Sequence, residues 1–163
     1  QGLTLQRASL IWAVMLGISW GFQVLGGYFG DKVKKNEALA VFSWMMAAGM
    51  CFAAFIDNLL IALIFAVVYG VGFGARIPLG TAVRGEYFGR RAFGTIMGLS
   101  AIPMAVFMMG GPLFAGAVFD ARGSYFLALM VLAGVSCLGG FLLLIAKRPT
   151  APSLVESAAD LAP

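Results

Sequence analysis

Histidine is absent from this chain of 163 residues, and charged residues make up only 11% of it. Without imidazole the sequence lacks the usual general base of enzymes and the commonest metal ligand. The two cysteines, Cys51 and Cys137, lie inside apolar runs, where they behave as small hydrophobic residues and indicate no disulfide framework. No residues are spaced as metal ligands, so we predict no metal site, no cofactor and no enzymatic activity.

Apolar residues are what the chain has in excess. They make up 61% of the sequence, whereas soluble domains are about half apolar and roughly a quarter charged. A soluble domain of this size cannot bury so much apolar surface, so the solvent must be lipid. The 61% amounts to about 99 residues, which at ~20 residues per crossing gives about five membrane spans.

Five runs free of charge predict where these spans lie. The runs lack the alternation of barrel strands, so we predict an all-α polytopic membrane helix bundle with five transmembrane helices. One transmembrane domain covers residues 1–148, and the Ala-, Ser- and Pro-rich segment 149–163 is predicted to be a disordered cytoplasmic tail. The predicted spans cover about residues 8–30, 38–56, 59–83, 92–119 and 124–146.

The basic residues between the spans are distributed unevenly. Eight of them follow spans one, three and five, whereas only Arg7 and Arg122 fall on the other side. By the positive-inside rule the first side is cytoplasmic, which places the N-terminus outside and the C-terminus inside the cell's inner or plasma membrane. The net charge of +4 therefore predicts contact with membrane lipid and not with nucleic acid. An odd number of spans beginning outside is what we expect of a fragment that lacks its first helix.

Arg76 is the only basic residue inside a predicted span. A charge within the membrane is costly and suggests a function, and a guanidinium suits a carboxylate because it can donate two parallel hydrogen bonds. The pattern Gly72-x3-Arg76-x3-Gly80 leaves room on its helix face, and Pro78 can bend the helix there. The alternative is that Arg76 extends toward the cytoplasmic headgroups, since it lies about 12 Å before Arg84 along a helix.

Other polar or glycine-rich features within the spans have two interpretations each. Ser19 and Gln23 lie one turn apart with Trp20 beside them, and Tyr69 lies two turns before Arg76. Such residues can line a substrate path, although more often they only bond a neighbouring helix. The same holds for the many glycine pairs inside the spans, which predict either close helix packing or helices that bend.

The first basic loop resembles a signature of a known family. Gly27-x3-Asp31-Lys32-x-x-Lys35 is similar to the loop Gly-x-Leu-Ala-Asp-Arg-x-Gly-Arg-Arg of the major facilitator superfamily, which follows the second helix of each six-helix half. The match is partial, as is usual in the second half of that family. The departures are Phe29, Gly30, Lys34 and Asn36. The alternative interpretation is a basic cytoplasmic loop with one incidental acid.

Two further stretches resemble the monocarboxylate-transporter and oxalate:formate-antiporter branches of that superfamily. The first runs from Glu86 to Gly98, where Gly89 permits a turn and Arg90 and Arg91 anchor the start of span four. The second runs from Gly111 to Tyr125. The order and spacing of the motifs imply helices eight to twelve of a second half, whose partner would be the missing N-terminal half.

The resemblance implies a secondary transporter that moves a small organic anion, with protons as a candidate coupling ion. Arg76 would bind the anion, with Tyr69, Gln23, Ser19 and Trp20 nearby. Met104 and Met108 could line the cavity on helix eleven. Gly27, Asp31, Lys32 and Lys35, together with Arg90 and Arg91, would form a gating loop.

Three alternatives remain open at this point. Gly72-x3-Arg76-x3-Gly80 also resembles a pattern in the fourth helix of drug:proton antiporters. A different functional class is a non-transporting membrane subunit that docks through its glycine faces. If the chain were a first half, its spans would be helices two to six and its tail a central loop.

Overall fold

Helices account for nearly all of the structure. The computed structural model describes residues 5–30 and 33–146, with the side chains at 29–30 and 88–92 left aside. Predictions concerning Asp31, Lys32 and the tail 149–163 therefore lie outside the described residues. The described part contains no strand, and its helices are α1 (Leu5–Gly30), α2 (Lys35–Ala54), α3 (Leu59–Arg122) and α4 (Phe126–Ile145).

Five helical segments are long and apolar enough to cross a membrane, which confirms the all-α membrane bundle. α1, α2 and α4 supply one each, and α3 supplies two, Leu59–Tyr87 and Phe93–Arg122. We call these two segments the first and second arms of α3. α1 and α2 each begin three residues before the predicted span, because a helix can carry charged residues in its first turn that a charge-free run leaves out.

α3 is helical where the sequence predicted a turn at Gly89. Its 64 residues run without a break from Leu59 to Arg122, and a straight helix of that length would measure about 96 Å. That is three times the ~30 Å hydrocarbon thickness of a bilayer. Both arms can therefore cross the same membrane only if α3 bends between them.

Contacts at the two ends of the second arm establish this bend. The Phe55 and Phe126 rings, which flank α3 along the chain, have centroids 5.4 Å apart. The short links on either side then keep the two ends of α3 within about 40 Å of each other. Near the bend, Arg84 Nη1 lies 3.8 Å from Met97 Sδ, although 13 residues of straight helix cover about 20 Å. The helix therefore turns back between Arg84 and Met97.

Hydrogen bonds define the end of the bundle at which α3 bends, where basic residues collect. The Asn36 side-chain amide donates to the Tyr87 hydroxyl at 2.6 Å and to the Ala146 carbonyl at 2.8 Å. These bonds join the start of α2, the end of the first arm of α3 and the end of α4. We call this the basic end, because Lys34, Lys35 and Arg84 lie there. The segments that the charge pattern grouped on one side of the membrane are thus together.

Glycines allow α1 to approach the first arm of α3 backbone to backbone. A methyl group added at Gly70 would lie 2.9 Å from the Met15 carbonyl oxygen, and one at Gly74 would collide with the Ser19 carbonyl oxygen. The Ser19 hydroxyl lies 2.7 Å from the Met15 carbonyl and 3.1 Å from the Gly70 carbonyl. Small residues at four-residue spacing are the usual means of such close contact between membrane helices.

α2 packs against the other side of the same arm and also against α4. A methyl group at Gly72 would lie 2.7 Å from the Phe42 carbonyl oxygen. Toward α4, Trp44 Nε1 donates to the Cys137 carbonyl at 3.3 Å, and its ring lies 5.1 Å from that of Phe141. The bundle therefore has the order α1, first arm of α3, α2, α4.

The second arm of α3 has no buried residue in its most apolar window. Added methyl groups on its glycines would meet nothing within 4 Å, and the same is true at Gly17 and Gly21 on α1. Packing therefore explains the glycines at 70, 72 and 74 and leaves these others facing open space in this chain. The second-arm glycines are Gly94, Gly98, Gly110, Gly111 and Gly116.

Gly74→Ala should destabilise the protein in detergent by about 1–3 kcal/mol, because the methyl group overpacks a backbone contact. Gly98→Ala is the matched control, and it should be neutral or slightly stabilising because alanine favours helix over glycine by about 1 kcal/mol. The midpoint of thermal unfolding measures both. Equal effects of the two substitutions would contradict the packing described.

Single cysteines placed at Asn58 and Ser124 should react with an impermeant thiol reagent from one side of the membrane, and cysteines at Lys34 and Glu86 from the other. The bend in α3 requires this pattern, because residues 58 and 124 flank its two ends. The background is the protein with Cys51 and Cys137 replaced by serine. Labelling of 58 and 124 from opposite sides would rule out the return of the second arm.

Candidate functional site

Arg76 lies deep within the first arm of α3. The arm spans Leu59–Tyr87, so its middle is Phe73 and Arg76 is one turn beyond it. Ten residues separate Arg76 from Glu86 at the basic end, which is about 15 Å along a helix. An arginine side chain reaches roughly 7 Å, so extension alone does not bring the guanidinium to that end.

The direction of the side chain also favours a guanidinium held at depth. Cα–Cβ bonds tilt toward the N-terminus of a helix, which for Arg76 is away from the basic end. Tyr69 lies two turns nearer the N-terminus on the same arm. Tyr69 is held against α2, where a methyl group on Gly49 would lie 2.9 Å from its Cβ. Arg76 itself is exposed in this chain, so the group is accessible.

On α1, Ser19 is used for helix packing, whereas Gln23 and Trp20 remain available to contact a substrate. Ser19 is 2% exposed, and its hydroxyl is engaged by backbone carbonyls as described above. Gln23 lies between Ser19 and Gly26, which contact the α3 backbone at 74 and 75, so Gln23 is at the depth of Arg76. Trp20 is 76% exposed. Their predicted role toward substrate stays a prediction.

The methionines predicted to line the cavity lie on the second arm of α3. Met104 and Met108 are both largely exposed, in agreement with the absence of buried residues in that window. Another helix can pack on an exposed apolar surface of this kind. The contribution of Met104 to a substrate site stays a prediction.

The predicted gating loop is described only in part. Lys35 Nζ forms an ion pair with Glu86 Oε1 across the interface of α2 and the first arm of α3. The space around Gly27 is open. Asp31 and Lys32 lie outside the described residues, and the side chains of Arg90 and Arg91 are not described.

Sequence reasoning missed the partners of this loop. Glu86 lies 51 residues from Lys35, and Asn36 and Tyr87 form a hydrogen bond immediately beside the pair. Glu86 could have been noticed in the sequence as an acidic residue within the basic segment after span three. Such an acid is a natural partner for a lysine on the same side of the membrane. Around these groups is an open cleft of about 470 Å³, lined by Lys34, Lys35, Asn36, Glu37, Val83, Glu86, Tyr87 and Leu144.

No three His, Cys, Asp or Glu side chains within residues 5–30 and 33–146 cluster as ligands. What the arrangement offers is a deep cation near a tyrosine, and a network of charges at the basic end.

Comparison with known proteins decides the family. The sequence model of the Major Facilitator Superfamily matches residues 1–162. The chain belongs to the major facilitator superfamily. Members of this superfamily are transporters rather than enzymes, and the five apolar helical segments agree with an integral, multi-pass membrane protein.

Similarity to individual proteins is more limited. The chain is 33% identical over 84 residues to two proteins called multidrug resistance protein B homolog, from Mycobacterium tuberculosis strains CDC 1551 / Oshkosh and ATCC 25618 / H37Rv. The alignment covers 52% of this chain and 15% of each relative. The chain thus matches only a small part of the length of these relatives.

The Lys35–Glu86 pair should contribute a coupling free energy of roughly 0.5–1 kcal/mol in a double-mutant cycle with Lys35→Met and Glu86→Gln. The side chains are 17% and 39% exposed, so solvent screens them only in part. The control is Lys34–Glu37, at 3.0 Å with exposures of 82% and 60%. Its coupling should be smaller and should fall more steeply with salt, and larger coupling in the control would contradict the assignment.

Proposed function

We propose that this chain supplies helices eight to twelve of a secondary transporter that moves a small organic anion by alternating access, with Arg76 binding the anion. The observation that carries the proposal is the depth of Arg76, one turn from the middle of a membrane span. A charge in that position is costly and is retained where it faces a cavity or a partner. A carboxylate is the partner that a guanidinium binds best, through two parallel hydrogen bonds.

The charge distribution favours an anion over a cationic drug. All seven acidic residues lie at the ends of spans or outside them, so the spans hold no carboxylate for a cation. The motif resemblance to monocarboxylate transporters and oxalate:formate antiporters supports the same class, with protons as the proposed coupling ion. Drug:proton antiport is the second candidate, because the Mycobacterium relatives are named for multidrug resistance.

The remaining site residues take roles in this proposal according to their place in the bundle. Gln23 lies at the depth of Arg76 and Tyr69 two turns from it; both would contact the anion, with Trp20, Ser19 and Met104 at the margin. At the basic end, the Lys35–Glu86 pair would hold one conformation and open in another, since a gating contact must differ in strength between two states. Gly27, Asp31, Lys32, Arg90 and Arg91 belong to the same proposed gate.

The assembly and orientation follow from the same family architecture. The proposed partner is the other half of the transporter, which rocks against this half around a midplane site. The proposed location is the cell's inner or plasma membrane, with the basic end cytoplasmic. A non-transporting subunit is the alternative, and transport by the full-length protein would exclude it.

Arg76→Ala in the full-length transporter should weaken uptake of labelled monocarboxylates at least 30-fold in apparent affinity, because loss of a buried charge partner costs about 2 kcal/mol or more. Arg76→Lys should retain part of the affinity, since it keeps the charge and loses the paired donors. Arg122→Ala, at the far end of α3, is the control and should leave affinity unchanged.

Unchanged affinity in both Arg76 variants would show that Arg76 does not bind the anion. Preferential export of cationic drugs by the wild type would favour the antiporter alternative. The present chain reconstituted alone should not take up carboxylate, because alternating access needs the opposing half.

A further inference from the structure

Three aromatic rings lead along one face of α3 to Arg76. Phe65, Tyr69 and Phe73 recur every four residues, so they stand above one another on the helix. The Phe65 and Tyr69 centroids are 5.6 Å apart at 40°, and the Tyr69 and Phe73 centroids are 6.1 Å apart at 12°. Arg76 continues this row one turn beyond Phe73. We call these four residues the aromatic–arginine face.

The face is anchored at one end and open at the other. Phe65 and Tyr69 pack against a buried cluster formed by Ile11, Met15, Ala62 and Ala66. Phe73 is 38% exposed, and Arg76 beside it is exposed as well. One turn further, Gly80 has nothing within 4 Å of its position for a methyl group. The rings nearest the bundle are therefore fixed, and the ring next to the guanidinium has a free surface.

The charge of Arg76 indicates what the exposed surface around Phe73 and Gly80 faces. Arg76 is too deep to be solvated at the basic end, and a mid-span charge facing lipid is strongly disfavoured. Residues three and four apart on a helix are neighbours on its surface. Phe73 and Gly80 must therefore face the same cavity as Arg76, and an apolar ring borders the place where an anion would bind.

We infer that the aromatic–arginine face selects a carboxylate carrying a flat apolar ring, with the carboxylate on Arg76 and the ring on Phe73. This inference rests on the proposed function, which it narrows from small organic anions to aromatic monocarboxylates. The Cβ atoms of neighbours on a helix surface are about 5–6 Å apart, which is close to the length of a benzoate from its carboxylate oxygens to the far edge of its ring. The fixed Tyr69 ring holds Phe73 in place, so little side-chain freedom is lost when a ligand ring packs on it.

The test compares benzoate, cyclohexanecarboxylate and acetate as inhibitors and substrates of the full-length transporter in proteoliposomes. In the wild type, benzoate should bind at least tenfold more tightly than acetate and more tightly than cyclohexanecarboxylate. Phe73→Leu should weaken benzoate binding about three- to tenfold and leave acetate unchanged, since ring pairing contributes a factor of this size. Phe73→Tyr keeps the ring and should keep the preference.

The control variant and the possible outcomes distinguish an error in the aromatic selection from an error in the proposed function. Phe52→Leu removes an exposed ring from α2 and should change neither ligand. If Arg76→Ala weakens all three carboxylates but the wild type does not prefer benzoate, only the aromatic selection is wrong. If Arg76→Ala weakens the binding of none of the three carboxylates, the proposed function itself is wrong. The wild-type ligand series decides the matter even where a Phe73 variant fails to fold.

Discussion

The close approach of α1 to the first arm of α3 at Gly70 and Gly74 is the contact on which the rest of the structure depends. Any side chain there would meet backbone atoms of α1, so the two helices can be this close only with glycine. The contact fixes the level of Ser19 and Gln23 relative to Arg76. On the opposite side, Gly72 does the same for α2. Arg76 is therefore presented at a set depth by an arm that is held on both sides.

A second constraint acts at the basic end, where polar contacts take the place of glycine packing. Asn36 joins three helix ends through its two amide hydrogens, and Lys35 pairs with Glu86 beside it. Partly exposed contacts of this kind are weak individually. In the proposed transport cycle, that weakness would suit a region that opens and closes, whereas backbone contacts at glycine would suit a part that stays rigid. On the proposed function, the two kinds of contact would divide the bundle into a rigid interior and an adjustable end.

Much of this arrangement could be predicted from the sequence because lipid leaves few alternatives. Charge-free runs identify membrane helices almost directly, and Arg76 stands out because no other residue inside a predicted span carries a positive charge. The helical bend in α3 could not be predicted, since Gly89 permits a turn and a bent helix alike. The role of Ser19 in helix packing could not be predicted either, because a hydroxyl in a span looks the same in the sequence whether it contacts substrate or backbone. The partner of Lys35 lies 51 residues away, a separation that one sequence without relatives does not reveal.

The central claim is that the face around Arg76 lines a water-filled cavity that binds a carboxylate. It is tested most directly with a cysteine at Gly80, one turn from Arg76 on an open part of the same face, in the full-length transporter lacking Cys51 and Cys137. The account predicts that a charged, water-soluble thiol reagent modifies this cysteine, that benzoate slows the reaction, and that Arg76→Ala abolishes the protection. No reaction at residue 80, or a reaction that benzoate does not slow, would contradict it.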